Sequence, residues 1–148
     1  DDTVIESFLM TMEDLETRIV RNLDPSLGQT SSVRTAIELE GEAEGYLVHP
    51  VDVPGVESGD VAALLEAAEL HPGADAIALS VKQRRAHPVL LTQALAGQVR
   101  KLSPGKTLRD LLATTGVKVH YVESENELLL LDVNTPEEYE AFRERLGR

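Results

Sequence analysis

Asp52 stands where a carboxylate can take part in phosphate chemistry. It follows Tyr46–Val51, a short and mostly apolar run typical of a buried parallel strand, although Pro50 argues against regular pairing at its end. In open α/β sheets ligands bind beyond the carboxyl ends of the strands, and a carboxylate there can hold a divalent cation against a polyphosphate. Asp52 is therefore a candidate metal ligand. The alternative, that it only caps the turn after the strand, stays open because Asp is common in turns.

Asp132 and Asn134 form a second group of oxygen ligands. They follow the apolar run Leu128–Leu131, which we expect to be a strand, and they precede the last predicted helix. If this strand ends at the same edge of the sheet as Tyr46–Val51, the pair approaches Asp52. The simpler interpretation, which the residues alone favour, is that Asp132 and Asn134 only shape the turn into the helix.

Lys82, Arg84 and Arg85 form the only compact cationic cluster before residue 100, in a run that continues to His87. We expect this run to be a loop after the strand Ile77–Val81, where it can receive an anionic substrate group. A loop that is merely solvated has the same composition, so both interpretations remain.

Other motifs are incomplete. Pro104–Thr107 ends like a phosphate-binding P-loop, but position 100, where that motif has its first glycine, is Arg100. The nucleophile motif Gly-x-Ser-x-Gly is absent. The four histidines show no i, i+4 spacing, so we expect no His-based metal site, and His49 and His120 are expected to be half-buried strand residues.

Hydrophobic periodicity predicts the elements that carry these residues. Helices are predicted over Thr3–Leu15, from the caps Ser31 and Ser32 to Leu39, from Val61 to Ala68, from Leu90 to Val99, over Leu108–Leu112, and from the capping box of Thr135 and Glu138 to Leu146. Strands are predicted over Tyr46–Val51, Ile77–Val81, Val117–Tyr121 and Leu128–Leu131. Strands that alternate with helices indicate an α/β domain with a mainly parallel sheet.

Length and charge restrict the possible partners. The chain has 148 residues, 26 of them acidic and 14 basic, a net charge of −12 and no cysteine. This length fits one domain, residues 1–148, that buries a core without disulfides. Negative charge repels nucleic acid polymers and anionic membranes, so neither is expected as a partner. The longest apolar run has five residues, too few to cross a bilayer, and we expect a cytoplasmic protein.

Four segments occur in a characteristic order: RNLDPSLGQTSSVR at 21–34, LVHPVDVP at 47–54, RRAHPVL at 84–90 and LDVNTPEE at 131–138. In this order they resemble the molybdenum cofactor nucleotidyltransferase family, whose members transfer CMP or GMP from a nucleoside triphosphate to molybdopterin. The resemblance extends from about residue 18 to the C-terminus. It implies a Rossmann-like nucleotidyltransferase fold with three layers and a mainly parallel sheet.

The resemblance also implies roles for individual residues in a magnesium-dependent reaction. Asp52 would be the catalytic, metal-binding aspartate of the family's Asp-x-Pro segment, with Asn134 beside the Mg²⁺ ion. The residues near the nucleotide, CTP or GTP, would be Gly28, Gln29, Ser31 and Ser32. The residues near the molybdopterin-type acceptor would be Arg84, Arg85 and His87.

Some positions depart from the family pattern. Ala86 stands where a glycine usually precedes His-Pro, and Gly55 stands where a larger apolar residue is common. The family's opening strand and glycine-rich triphosphate loop have no counterpart, so we expect a fold truncated at its N-terminus, a chain inactive on its own, and self-association through an exposed sheet edge. The alternatives are a non-catalytic cofactor-binding or regulatory module on the same scaffold and a related sugar-phosphate nucleotidyltransferase.

Overall fold

A computed structural model describes residues 18–41 and 43–147, so the predicted helix Thr3–Leu15 lies outside the described residues. The helices are α1 (Gln29–Glu40), α2 (Ser58–Leu70), α3 (Gln93–Val99), α4 (Leu108–Leu112) and α5 (Pro136–Arg145). The strands are β1 (Gly45–Val48), β2 (Ala76–Val81), β3 (Arg84–Thr92) and β4 (Val119–Glu123). Short 3-10 helices span Pro25–Leu27 and Glu127–Leu130. No helix in the described ranges is both long and apolar enough to cross a bilayer.

The four strands form one sheet in the order β1-β3-β2-β4. β1 and β2 both pair antiparallel with β3, and β4 pairs parallel with β2, so β1, β2 and β4 run in the same direction. The predicted Rossmann-like α/β fold is confirmed, while the antiparallel β3 between β1 and β2 was not predicted. The carboxyl ends of β1, β2 and β4 therefore lie at one edge of the sheet, together with the start of β3. We call this the carboxyl edge.

Helices cover both faces of the sheet. The buried cluster that α1, α3 and α4 share with one face comprises Ile37, Ala76, Ala78, Val89, Leu91, Leu95, Ala96, Val99, Leu111 and Leu112. The cluster that α2 and the 3-10 helix Glu127–Leu130 share with the other face comprises Leu64, Ala67, Ile77, Leu79, Val81, Ala86 and Leu129. All six residues of β2 are buried because helices cover it from both sides. This is the three-layer arrangement that the resemblance implies.

Lys82 lies in a turn after β2 as predicted, but Arg84 and Arg85 are part of a strand, and the prediction of a loop there was wrong. Residues 84–92 form β3, which includes Leu90 and Leu91, two residues predicted to begin a helix. A short apolar run does not distinguish a buried strand from a buried helix, and this one is covered on both faces. A hairpin turn with positive φ angles usually has the sequence Asn-Gly. Here Lys82 and Gln83 adopt these angles, 51° and 63°, so the sequence contains no signal for the turn.

The predicted strand Leu128–Leu131 is also wrong, because most of it lies in the 3-10 helix Glu127–Leu130. The side chain of Asn126 accepts a hydrogen bond from the Leu128 amide at 3.1 Å and caps this helix. Leu129 is buried in the cluster beneath α2. A local cap and one buried leucine therefore decide the conformation of a run whose composition fits either element.

Helix starts were predicted with mixed success. The capping box of Thr135 and Glu138 begins α5 as expected. α1, in contrast, begins after Gly28, which has a φ of 85°, and not at Ser31 or Ser32. The Ser31 hydroxyl donates to the Gly28 carbonyl at 2.7 Å, so it lies inside the first turn and does not act as the N-cap.

Candidate active site

Residues 49–57 connect β1 to α2 at the carboxyl edge, and we call them the Asp52 loop. Asp52 is half-buried in the turn between β1 and α2, and the Val133 amide donates to its backbone carbonyl at 2.8 Å. Among the described residues, none donates a hydrogen bond to the Asp52 carboxylate. The backbone of the loop is therefore fixed, whereas the carboxylate is available to a ligand.

The same hydrogen bond brings the second group of oxygen ligands to the loop. Asp132 and Asn134 flank Val133, so both approach Asp52 as the sequence suggested, although a 3-10 helix and not a strand precedes them. Both residues are exposed. The backbone N–H of Asn134 donates to the Glu138 carboxylate at 2.7 Å, where α5 begins. A role for Asn134 in metal binding stays a prediction.

Gly55 permits the close contact between the Asp52 loop and the 3-10 helix. It is buried, and a Cβ atom at this position would lie 2.5 Å from both the Cβ and the carbonyl oxygen of Leu128. No larger side chain fits without displacing the backbone of Leu128. The departure from the family pattern at this position therefore has a structural reason.

A hydrogen-bond network around the buried Asp60 holds the Asp52 loop in place. The Asn126 amide nitrogen donates to the Gly55 carbonyl at 2.8 Å and to the Asp60 carboxylate at 2.9 Å. Asp60 is 8% exposed and also accepts from the Ser124 hydroxyl and the Glu57 amide, both at 3.0 Å. The network joins the Asp52 loop, the start of α2 and the segment after β4. Sequence reasoning missed it, and the Glu57–Asp60 capping box was its only local signal.

His87 lies beside Asp52 on the neighbouring strand. Burial lowers the pKa of His87, and the nearby His49 lowers it further, whereas the Val48 backbone, Asp132 and Asp52 act in the opposite direction. The Nδ1 atom of His87 is buried and has no hydrogen-bond partner among the described residues. We call Asp52, His87, Asp132 and Asn134 the β1 corner.

The two arginines predicted for acceptor binding lie farther along β3. The Arg85 guanidinium donates to the Tyr121 hydroxyl at 2.7 Å and lies 5.7 Å from the centre of the Tyr121 ring. Tyr121 is on β4, so Arg85 extends across β2 and away from the β1 corner. Arg84 is exposed at the start of β3. The predicted acceptor residues therefore separate, with His87 beside Asp52 and Arg85 beside Tyr121.

A second polar group thus occupies the other end of the carboxyl edge. Glu123, two residues after Tyr121 on β4, accepts a hydrogen bond from the Ser80 hydroxyl at 2.5 Å. We call Arg85, Tyr121 and Glu123 the β4 corner. Three strand spacings of about 4.8 Å separate β1 from β4, so the two corners are on the order of 14 Å apart.

The residues predicted to lie near the nucleotide surround the start of α1. α1 leads into β1 through a short loop and packs on the sheet, so its N-terminus points to the carboxyl edge. The Asn22 amide donates to the Ser31 hydroxyl at 2.7 Å and to the Ser32 hydroxyl at 3.0 Å, which anchors this turn. The positions of Gly28 and Gln29 fit nucleotide binding at a helix N-terminus, and that role stays a prediction.

The donor set at the β1 corner fits a hard divalent cation. Mg²⁺ binds through oxygen atoms, commonly one or two protein ligands with waters and substrate phosphates completing the coordination. Asp52 and Asn134 can supply two such oxygens. Within residues 18–41 and 43–147, no group of three or more His, Asp or Glu side chains is arranged to hold a metal ion. An ion at this corner would therefore be shared with a phosphate ligand.

An α/β sheet with carboxylate and amide side chains beyond the carboxyl ends of its strands is the arrangement in which proteins of the Rossmann-like class bind their ligands. Comparison of the sequence with known families gives a more specific result. Residues 4–121, more than half of the chain, match the MobA-like NTP transferase domain, and the chain belongs to this family. No curated protein sequence matches the chain at a significant level.

Solved structures share the fold at low sequence identity. A homologue of Mycobacterium tuberculosis Rv0371c from Mycobacterium sp. strain JC1 has a TM-score of 0.66 and 22% identity, over 81% of this chain and 59% of that one. Rv0371c from M. tuberculosis H37Rv in complex with manganese has a TM-score of 0.58 and 20% identity, over 76% and 60%. Molybdopterin-guanine dinucleotide biosynthesis protein A from Archaeoglobus fulgidus has a TM-score of 0.62 and 16% identity, over 99% and 75%. The chain thus spans about three-fifths of the length of the first two.

Proposed function

We propose that the protein is a nucleotidyltransferase that transfers CMP or GMP from CTP or GTP to molybdopterin or a similar phosphorylated acceptor, with Mg²⁺ as the metal ion. Membership of the MobA-like NTP transferase domain family supports the reaction class. The A. fulgidus neighbour, a molybdopterin-guanine dinucleotide biosynthesis protein, supports the choice of acceptor. The manganese complex of Rv0371c supports a divalent cation.

The observation that carries the proposal is the hydrogen bond from the Val133 amide to the Asp52 carbonyl. It brings two segments that are about 80 positions apart in the sequence to the same point at the carboxyl edge. One segment supplies the unpartnered Asp52 carboxylate, and the other supplies Asp132 and Asn134. This arrangement fits an oxygen-ligated cation that is shared with a phosphate.

Three residues of the β1 corner have distinct tasks in the proposed reaction. A bound divalent cation would neutralise the negative charge that develops on the phosphate oxygens. The Asp52 carboxylate and the Asn134 side chain would hold that cation. Burial lowers the pKa of His87, which favours its neutral form near pH 7, so we place an uncharged imidazole on the acceptor side of the cation.

Binding measurements with the full-length natural protein test the proposal. Calorimetry with CTP or GTP, each with and without Mg²⁺, is expected to show nucleotide binding that needs the ion. A pterin phosphate that binds without any nucleotide binding would support the non-catalytic module instead. Transfer to a sugar phosphate, with none to a pterin phosphate, would support the sugar-phosphate nucleotidyltransferase and contradict the proposed acceptor.

A further inference from the structure

The turn between β2 and β3 has an unfavourable backbone conformation that needs support from outside the hairpin. Lys82 and Gln83 both have left-handed φ angles, and neither is glycine. A left-handed conformation is less stable than an ordinary one for such residues, because the Cβ atom comes close to the following carbonyl oxygen. The hairpin that carries Arg85 therefore depends on contacts with neighbouring elements to keep its shape.

Glu123 of β4 supplies this support. It is the cross-strand partner of Ser80 on β2, and Ser80 is in turn the partner of Arg85 on β3, so the three residues form one row across the sheet. The Glu123 carboxylate accepts from the Ser80 hydroxyl, and the backbone amides of Lys82 and Gln83 also stabilise its charge. A second contact, the 2.6 Å ion pair of Lys82 with Glu127, joins the turn to the 3-10 helix.

Tyr121 holds the guanidinium of Arg85 from the same side. Tyr121 and Glu123 are two positions apart on β4, so both side chains point to one face of the sheet. The Tyr121 hydroxyl occupies one guanidinium donor, and the ring attracts the positive charge. A guanidinium has five N–H donors, so most of them remain available to an anion such as phosphate.

We propose that Tyr121 and Glu123 are positioning residues that hold Arg85 ready to bind the anionic group of the acceptor. This inference rests on the proposed function for the identity of the acceptor. Arg85 is long and exposed, and ordering such a side chain on binding costs conformational entropy. Contacts that order it beforehand remove part of that cost, so an anion binds more tightly.

A phosphate titration of the full chain, followed at the Arg85 Nε–H signal by NMR, tests the role of Tyr121 without any turnover. The signal is assigned with Arg85→Lys. Tyr121→Phe keeps the ring and removes the hydroxyl, and it is expected to weaken phosphate binding about fivefold, the equivalent of one hydrogen bond of about 1 kcal/mol. Tyr139→Phe is the matched control, because Tyr139 also lies beside an arginine, with Arg143 at 5.9 Å from its ring centre. Equal affinity in wild type and Tyr121→Phe overturns the inference, and so does an Arg85 signal that phosphate leaves unchanged.

Amide hydrogen exchange tests the role of Glu123. Glu123→Ala is expected to speed exchange at Lys82 and Gln83 and to weaken phosphate binding at Arg85, with Glu123→Gln restoring part of both. Glu125→Ala, which removes an exposed carboxylate from the same segment, is the control. Unchanged exchange and affinity in Glu123→Ala exclude the positioning role. A full-length protein that transfers no nucleotide contradicts the proposed function but leaves both of these measurements decisive.

Discussion

The β1 corner and the β4 corner lie at opposite ends of the same carboxyl edge, and they differ in whether their polar groups have hydrogen-bond partners. At the β1 corner the Asp52 carboxylate and the His87 Nδ1 atom have no hydrogen-bond partner among the described residues, although both residues are half-buried. At the β4 corner Arg85, Tyr121 and Glu123 are exposed, yet each is hydrogen-bonded to a residue of another strand.

This difference in hydrogen bonding suggests different roles for the two corners. An unpartnered buried polar atom has an energetic cost, and a protein that keeps such atoms together offers them to a ligand. Exposed groups that bond to one another gain little stability, but they fix the geometry of the chain that carries them. The β1 corner therefore suits binding and reaction, and the β4 corner suits positioning.

The largest effect is expected from Asp52→Asn at the β1 corner. Loss of the charge that would hold the cation is expected to lower metal-dependent nucleotidyl transfer at least about 100-fold. The melting temperature should stay near that of wild type, because no described residue donates to this carboxylate. Steady-state rates of the full-length protein measure the effect, with Glu66→Gln on the exposed side of α2 as the control. Undiminished transfer would show that Asp52 is not a metal ligand.

Gly55→Ala tests whether the β1 corner depends on its close backbone contact. The new Cβ would overlap Leu128, so the 3-10 helix and the Asp52 loop must separate, with an expected loss of about 3 kcal/mol in the free energy of unfolding. Urea denaturation measures it. Gly97→Ala in α3 is the control, since nothing lies within 4 Å of its added Cβ, and it is expected to stabilise by about 0.5–1 kcal/mol. Similar stability of the two variants would refute the contact.

Asn126→Ala removes the amide that joins the Asp52 loop to Asp60. The buried Asp60 carboxylate then loses one of its donors, and we expect the free energy of unfolding to fall by about 2 kcal/mol. Asn134→Ala is the comparison, because Asn134 is exposed and is predicted to bind metal, not to stabilise the fold. It should change stability by less than about 0.5 kcal/mol while weakening Mg²⁺ binding. If Asn134→Ala lowered the free energy of unfolding more than Asn126→Ala, Asn134 and not Asn126 would be the residue that stabilises the fold.

The smallest effect is the titration of His87. Its pKa is lowered by burial, so an NMR titration is expected to give a midpoint below 6.5. Asp52 raises the pKa of His87, so Asp52→Asn should lower the midpoint further. As pH falls through 6.5, the unfolded chain takes up a proton before folded His87 does, so the free energy of unfolding decreases, and His87→Gln should flatten this decrease. A midpoint unaffected by Asp52→Asn would place the two groups apart.

Much of the fold was predictable because its signals are local. The run Ile77–Val81 and the capping box of Thr135 appear in the structure close to their predicted positions. β3 and the 3-10 helix Glu127–Leu130 were not predictable, because the composition of each run fits either element and burial between layers decides between them. Local pattern contains no information about such contacts.

The candidate site divides in the same way. Asp52 was recognisable because it follows a strand, and Asp132 and Asn134 because they precede a clear helix start. Tyr121 and Asn126 gave no signal, since each acts through a partner on another segment, Arg85 for the first and Asp60 for the second. Positioning residues of this kind become visible only when the strands are placed side by side.

The strand order determines which strands are expected to separate first from the sheet. β2 and β3 have hydrogen-bonded neighbours on both sides, whereas in the described residues β1 and β4 each have a neighbour on one side only. Outer strands separate at lower free energy than inner ones, so their amides exchange with solvent sooner. The Asp52 loop follows β1, and the tyrosine that holds Arg85 lies on β4. In the described part of the chain, both corners are therefore expected to open more often than the centre of the sheet between them.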